Sequence, residues 1–192
     1  MKVIGLAGRA GSGKSAVAQR LAQRPGIAWV DLDRLAWQTY APGTTTHARL
    51  VDTFGDEIVG PSGRIDRARL ARRAFSDAAS LEALNAIVHP AVADAVTEIV
   101  RRHREVGTTL LLIEGALLAS SPHVDRSLYD VIVWLEVPDE IRAERLRGCG
   151  RAKHVERSDA VMPKPPVLTV SGEGTVAQVA DRLLAAVSGD GD

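Results

Sequence analysis

This sequence has little cysteine, no excess of charge and no long apolar run. Its 192 residues include one cysteine, Cys149, so no disulfide forms within the chain, which is typical of a reducing compartment. The 24 basic and 24 acidic residues balance, and this neutrality disfavours general nucleic-acid binding. The apolar runs are short for a membrane span, and the N-terminus lacks the apolar stretch of a signal peptide. We therefore expect a soluble cytoplasmic protein, a monomer or weak oligomer, with neither nucleic acid nor membrane as a partner.

Short apolar segments alternate with helical patterns along the chain. The length is typical of one domain with room for a small insertion. Residues 34–106 are almost entirely helical in pattern, and residues 148–166 contain three prolines and several basic side chains, which favours a loop or lid. The predicted strands are Val3–Ala7, Ile27–Val30, Leu110–Ile113, Asp130–Val137 and Val167–Val170. This alternation predicts an α/β fold in which a parallel sheet carries helices on both faces.

Capping and breaking residues divide the helical region. Asp66 and Ser80 are predicted N-caps of two successive helices. Pro90 is expected to kink the second of these helices or to start a new one. The tryptophans, Trp29, Trp37 and Trp134, are interpreted as core residues.

The strongest motif follows the first predicted strand directly. Residues 8–15 read GRAGSGKS and match G-x-x-x-x-G-K-[ST] at every fixed position. The three glycines allow the sharp bends by which successive N–H groups face a phosphate. Lys14 is suited to the β and γ phosphates, and the Ser15 hydroxyl is suited to Mg²⁺. The motif predicts a P-loop for a nucleoside triphosphate. The predicted nucleotide-binding residues here are Gly8, Gly11, Ser12, Gly13, Lys14 and Ser15.

Acidic residues follow two predicted strands, at the edge where parallel sheets bind ligands. Asp33 closes the segment Val30–Asp33 and is suited to orient an acceptor hydroxyl and take its proton. Asp31 would share its side of the strand if the strand continued that far. Glu114 follows Leu110–Ile113 and is suited to hold a Mg²⁺-bound water. Each carboxylate has an alternative interpretation as a helix cap or loop residue.

Basic residues cluster in two places. The first cluster comprises Arg142, Arg145, Arg147, Arg151, Lys153 and Arg157. Its candidates to stabilise a transferring phosphoryl group are Arg145 and Arg151, and such arginines are often mobile. The second cluster surrounds Arg67 and suits a substrate that carries phosphate. A solvated helix face with i,i+4 pairs is the alternative for both clusters. His89 is a lone histidine in a helical region, where a structural role is usual.

The order of these motifs resembles that of the dephospho-coenzyme A kinase family. After the P-loop, a D-x-D stands at the second strand, here Asp31–Asp33. A block follows that reads Phe54-Gly55, then G-R-I-D-R at residues 63–67, then His89-Pro90. Further matches are Tyr129-Asp130 before the fourth strand and Arg145-Leu146 in the helix after it. The resemblance covers roughly residues 1–147.

The resemblance implies a P-loop NTPase fold, which is a three-layer α/β sandwich with a five-stranded parallel sheet. It implies a helical substrate subdomain at about residues 34–106 and a short lid at residues 148–166. It also implies that ATP, with Mg²⁺, phosphorylates the ribose 3′-hydroxyl of dephospho-CoA to give coenzyme A and ADP.

Residue roles carry over position by position. Asp33 would be the general base, and Arg67 and the His89 region would lie in the substrate subdomain. From their own residue types and positions, Lys14 and Arg145 are the other catalytic candidates, Arg151 is expected to contact ATP, and Ser15 is expected to hold the metal. The residues expected to bind the acceptor are Asp33, Arg67, His89 and Glu114.

The sequence departs from the family pattern in three places. Glu114 is followed by Gly115-Ala116, and Cys149 stands where a second lid arginine is typical. The lid is also short, and the family's later pattern is hard to find between Arg151 and Ser171. Two alternatives therefore stay open: a divergent P-loop kinase acting on a nucleoside or nucleotide, and a nucleotide-binding regulatory protein that has lost turnover. The block from Phe54 to Pro90 argues against the first, and an intact set of Lys14, Ser15 and Asp33 argues against the second.

Overall fold

A parallel sheet underlies the P-loop. In this computed structural model, residues 1–116, 118–148 and 162–189 are described. The strands are β1 (Lys2–Ala7), β2 (Ile27–Asp31), β3 (Leu110–Glu114), β4 (Val131–Glu136) and β5 (Leu168–Ser171). They pair in the order β2-β3-β1-β4-β5, and every pairing is parallel. The predicted α/β fold with a five-stranded parallel sheet is confirmed.

Helices connect these strands and fill the long central region. They are α1 (Lys14–Leu21), α2 (Leu32–Thr39), α3 (Thr45–Phe54), α4 (Arg67–Ala74), α5 (Ala78–Glu105), α6 (Asp139–Gly148) and α7 (Val176–Ser188). Short 3₁₀ turns lie at Asp56–Ile58 and Arg126–Leu128. Parallel strands need crossover connections, and right-handed helical crossovers supply them in most α/β folds.

The chain divides into two compact units. The sheet unit comprises Met1–Leu32, Val100–Pro122 and Arg126–Asp192. The helical unit comprises Asp33–Ile99 and His123–Asp125. Each has its own buried apolar cluster, and burial of apolar surface is the main stabilising contribution to such a unit.

In the sheet unit, α1 and α7 pack on the apolar strands. Val17, Ala18 and Leu21 of α1 are buried, as their helical spacing predicts. Thr175 caps α7 through a capping box in which its hydroxyl accepts from the Gln178 N–H. β1, β3 and β4 are almost fully buried, which explains their uninterrupted apolar sequences.

In the helical unit, the first predicted cap is confirmed and the second is wrong. Asp66 accepts from the N–H groups of Ala68 and Arg69 at 2.9 and 3.1 Å. α5 begins at Ala78, and Asp77 rather than Ser80 caps it, because its carboxylate accepts from the Ser80 N–H at 2.8 Å. The backbone hydrogen bond from Ser80, with further bonds from nearby hydroxyls, lowers the pKa of Asp77.

α5 is one helix of 28 residues that continues through Pro90, so no new helix begins there. It is the single helix, among the residues that the structure describes, with the length and apolar composition to cross a membrane. This is weak evidence, because core helices of soluble proteins meet the same criteria.

The three tryptophans differ in environment. Trp134 is buried, and its Nε1 donates to Glu136 Oε2 at 2.6 Å, whereas Trp29 is half-buried against the apolar cluster of the sheet unit. The expectation that Trp37 belongs to the core is wrong, since 45% of it is exposed. The Arg67 guanidinium lies 3.5 Å from the centroid of the Trp37 ring, and this cation–π contact accounts for its position.

His89 of α5 stacks on His123 in the helical unit. The ring centroids are 4.6 Å apart and the planes differ by 22°. Burial, and then the nearby His123, lowers the pKa of His89 below its usual value of 6.5. An unfolded chain would therefore bind a proton at His89 more readily than the folded one. The stability that this neutral histidine contributes is present above pH 6.5 and is lost as the pH falls below it.

We predict that an NMR titration of the His89 ring will give a pKa below 6.5. In His123→Phe, which keeps a stacking ring but carries no charge, the pKa should rise while staying below 6.5, because burial is the larger cause. His47→Gln, in the same unit, is the control and should leave the titration unchanged. A His89 pKa at or above 6.5 in the parent protein contradicts the burial seen here.

Candidate active site

The loop between β1 and α1 has the backbone geometry that phosphate binding requires. Gly11 and Gly13 have φ values of 82° and 90°, a region that side-chain-bearing residues rarely adopt. At Gly11 a Cβ would also lie 2.8 Å from the Arg142 carbonyl oxygen, so no other residue fits without a shift. These glycines let the loop bend tightly at the N-terminus of α1, where backbone N–H groups and the helix dipole favour an anion.

Lys14 is the first residue of α1 and is nearly buried. Its Nζ donates to the carbonyl oxygens of Gly8 and Arg9 at 2.8 and 3.3 Å. The ammonium group is thus held inside the curve of the loop. Ser12, with 1% exposure, is buried beside it.

A hydroxyl and a carboxylate meet at the carboxyl edge of the sheet. Ser15 Oγ donates to Glu114 Oε1 at 2.7 Å. Glu114 ends β3 and is in register with Leu6 of β1 on one side and Asp31 of β2 on the other. The oxygen atoms of Ser15 and Glu114 are of the kind that Mg²⁺ prefers, directly or through water.

Asp33 does not close a strand, as the sequence suggests, because β2 ends at Asp31 and α2 begins at Leu32. Asp33 therefore lies in the first turn of α2, where a negative charge is favoured by the helix dipole. The strand does not continue to Asp33, so the condition under which Asp31 and Asp33 would share one side is not met.

Two arginines of α6 bind the carbonyl oxygens of the P-loop. Arg145 donates from Nη1 to Gly11 O and Ser12 O, at 3.4 and 3.2 Å, and from Nη2 to Gly172 O at 3.2 Å. Arg142 is fully buried and donates from Nε to Ala10 O at 2.9 Å. The Arg142 guanidinium is enclosed by protein, so the alternative of a solvated helix face does not apply to it.

Ion pairs that the sequence did not predict lie next to these arginines. Arg9 contacts Asp139 at 3.0 Å and Glu136 at 3.3 Å, and Asp139 also pairs with Arg142. The partners of Arg9 are distant in sequence, so spacing gives no sign of those two pairs. The pair of Asp139 with Arg142 could have been found, since the two residues are three apart on one helix.

The other two residues that are expected to bind the acceptor substrate, Arg67 and His89, lie in the helical unit. Arg67 is the first residue of α4 and stacks on Trp37. Tyr40 is near its charge, and burial raises the pKa of the Tyr40 hydroxyl while Arg67 opposes that rise. His89 is half-buried in the stack with His123.

Arg151 and most of the predicted lid lie outside the described residues. Of residues 148–166, the structure describes residue 148 and residues 162–166. The segment after the gap is bound to the loop that follows β3, since the Lys164 N–H donates to Ala119 O at 2.7 Å.

The described geometry of the sheet unit suits a polyphosphate. Lys14, Arg145 and the N-terminus of α1 bring positive charge to the P-loop, and Ser15 with Glu114 offers oxygen ligands next to it. In water-poor surroundings such charges stabilise phosphoryl transfer far more than they would in bulk solvent.

Comparison with known proteins identifies the family to which this chain belongs. The family model described as dephospho-CoA kinase matches residues 2–162. A dephospho-CoA kinase from Corynebacterium jeikeium is 35% identical, with 95% of this chain and 96% of the relative covered. One from Thermobifida fusca is 40% identical over 76% of this chain and 70% of the relative. The crystal structure of TT1252 from Thermus thermophilus has a TM-score of 0.79 and 31% identity, and the match covers 97% of this chain and 96% of that one. This chain therefore belongs to the dephospho-CoA kinase family.

Proposed function

We propose that this chain transfers the γ-phosphoryl group of ATP to the ribose 3′-hydroxyl of dephospho-CoA, giving coenzyme A and ADP. The observation that carries the reaction class is the P-loop in which Lys14 is held inside the curve and Ser15 binds Glu114. The choice of acceptor rests on membership of the family.

The P-loop residues bind and orient ATP. The N–H groups of the loop and Lys14 bind the β and γ phosphates, and Arg145 stabilises the charge that develops on the transferring group. Arg145 is close enough for this role, because its Nη1 already contacts the loop at Ser12 O. Arg151, in the proposed lid, adds a further contact to ATP.

Ser15 and Glu114 fit a magnesium ion. Their oxygen atoms are 2.7 Å apart, and Glu114 is nearly buried at the edge of β3. We propose that the Ser15 hydroxyl is a direct ligand and that Glu114 accepts from a metal-bound water. Mg²⁺ would neutralise charge on the β and γ phosphates.

Asp33 is proposed to accept the proton of the 3′-hydroxyl. The hydroxyl oxygen forms the new bond to the γ-phosphorus, the bond from that phosphorus to ADP breaks, and the proton passes to the Asp33 carboxylate. Asp33 lies two residues after the end of β2. The last residue of β2, Asp31, is in register with Glu114 of β3. Arg67 and His89 are proposed to contact the acceptor from the helical unit.

We also propose that the chain works in the cytoplasm, as a monomer or weak oligomer. Its single cysteine supports this setting, because reducing compartments keep thiols free of disulfides. Dephospho-CoA and ATP are the proposed partners.

The direct test mixes the purified protein with ATP and Mg²⁺ and follows ADP release. Dephospho-CoA is one acceptor, with adenosine, cytidine and uridine in parallel, and mass spectrometry checks for one added phosphate. We expect turnover with dephospho-CoA and background release with the nucleosides. Turnover with a nucleoside alone would contradict the proposed acceptor.

Asp33→Asn should lower kcat by about 100-fold or more, because general-base catalysis contributes on that scale. The dissociation constant for ATP should stay within about twofold of the parent value, because the P-loop is unchanged. Asp52→Asn, an exposed carboxylate of α3, is the matched control and should keep full turnover. Near-parental kcat in the Asp33 variant would remove the assigned role.

Glu114→Gln should raise the Mg²⁺ concentration for half-maximal rate by roughly 10- to 100-fold, as outer-shell changes at metal sites do. Excess Mg²⁺ should recover most of the rate. Glu144→Gln, an exposed position on α6, is the control. An unchanged Mg²⁺ dependence would show that Glu114 has no part in holding the metal.

A further inference from the structure

Arg142 connects α6 to the P-loop residue Ala10 by a hydrogen bond. Its side chain is fully buried, and its Nε donates to Ala10 O at 2.9 Å. Burying a cation is costly unless it is paired and hydrogen-bonded. Asp139, one turn earlier on α6, supplies the pairing by accepting from Nη1. The same guanidinium thus holds two groups that are far apart in the sequence.

The neighbouring residue of the loop is held by the same carboxylate. Arg9 contacts Asp139 at 3.0 Å and Glu136 at 3.3 Å. Trp134 Nε1 in turn donates to the second oxygen of Glu136 at 2.6 Å, which fixes that side chain. Both Arg9 and Ala10 are therefore tied to the segment from β4 to α6.

This arrangement determines where the next backbone N–H points. The C=O and N–H of a planar trans peptide point in opposite directions. Because Ala10 O faces the Arg142 guanidinium, the Gly11 N–H points away from that guanidinium. The next N–H along, that of Ser12, is used within the loop and donates to Arg9 O at 3.1 Å.

We propose that Arg142 is a positioning residue for ATP, which fixes the Ala10–Gly11 peptide so that the Gly11 N–H is presented to a bound phosphate. It acts from the outside of the loop and does not touch the nucleotide. The inference rests on the proposed function only in taking ATP as the ligand. Loss of Arg142 should therefore raise the KM for ATP, and leave the KM for dephospho-CoA and the kcat at saturating ATP nearly unchanged.

The principal test is Arg142→Met, which removes the donors and keeps much of the length. Calorimetric titration with MgATP, without acceptor, should show about tenfold weaker binding, or about 1.4 kcal/mol. The ¹⁵N-labelled Gly11 amide resonance should move in the same variant. Arg142→Lys keeps the charge but cannot donate to Ala10 and Asp139 with the fixed geometry of a guanidinium. Relative to Arg142→Met, it should therefore recover thermal stability more than ATP affinity. A purely structural role would recover both together.

Two exposed carboxylates in the first turn of α6 provide a second test that does not disturb the core. Asp139→Asn removes the carboxylate charge that both Arg142 and Arg9 contact, and it should weaken ATP binding by about threefold, as expected for one modest polar interaction. Glu140→Gln removes the same charge one residue later, so both variants change the helix dipole interaction alike. We expect ATP affinity in Glu140→Gln to stay at the parental value.

The proposal is overturned if folded Arg142→Met binds ATP as the parent does. It is also overturned if Asp139→Asn and Glu140→Gln have the same affinity, and this comparison decides when Arg142→Met does not fold. A parent protein that binds ATP but phosphorylates no acceptor contradicts the proposed reaction and leaves this inference standing. A parent protein that does not bind ATP contradicts both.

Discussion

The parallel register of β1 with its neighbours is the constraint on which the rest of the site depends. Leu6 of β1 is level with Glu114 of β3, and Ala7 is level with Trp134 of β4. Because all three strands run the same way, the segments that leave their carboxyl ends emerge along one edge. That register therefore determines the positions of three parts of the site. They are the P-loop, the carboxylate that binds Ser15, and the helix that bears Arg145.

The P-loop is held from both sides by charged groups of the protein. Lys14 donates to carbonyl oxygens from within the curve, while Arg142 and Arg145 donate to carbonyl oxygens from α6. Carbonyl oxygens that are bound outward leave the opposite N–H groups directed inward, which is the polarity that a phosphate requires. The loop's shape thus depends on residues of α6 that are far from it in sequence, and electrostatic preorganisation of this kind is the main means by which kinases accelerate phosphoryl transfer.

Local sequence predicted those parts of the molecule that short-range chemistry determines. The strands, the P-loop and the Asp66 cap follow from apolar runs, glycine spacing and a short acidic side chain before a helix. The errors have a different origin. Asp33 was predicted at the end of a strand but lies in a helix, because α2 begins immediately after Asp31. The ends of helices and strands are poorly defined by local sequence pattern. The burial of Arg142 could not be distinguished from the sequence because its partner Ala10 is 132 residues away. Trp37 lies outside the core, and the Arg67 side chain over its ring comes from another helix, a contact that local spacing does not show.

In the proposed reaction the phosphoryl group is transferred to one particular oxygen of the acceptor, the 3′-oxygen of the ribose. A ¹H–³¹P correlation spectrum of the product identifies that oxygen. We expect a new phosphomonoester signal that correlates with the ribose H3′ of the adenosine, with the diphosphate signals of dephospho-CoA retained. A monoester that correlates with H2′, or a phosphate added to the diphosphate chain, would contradict it.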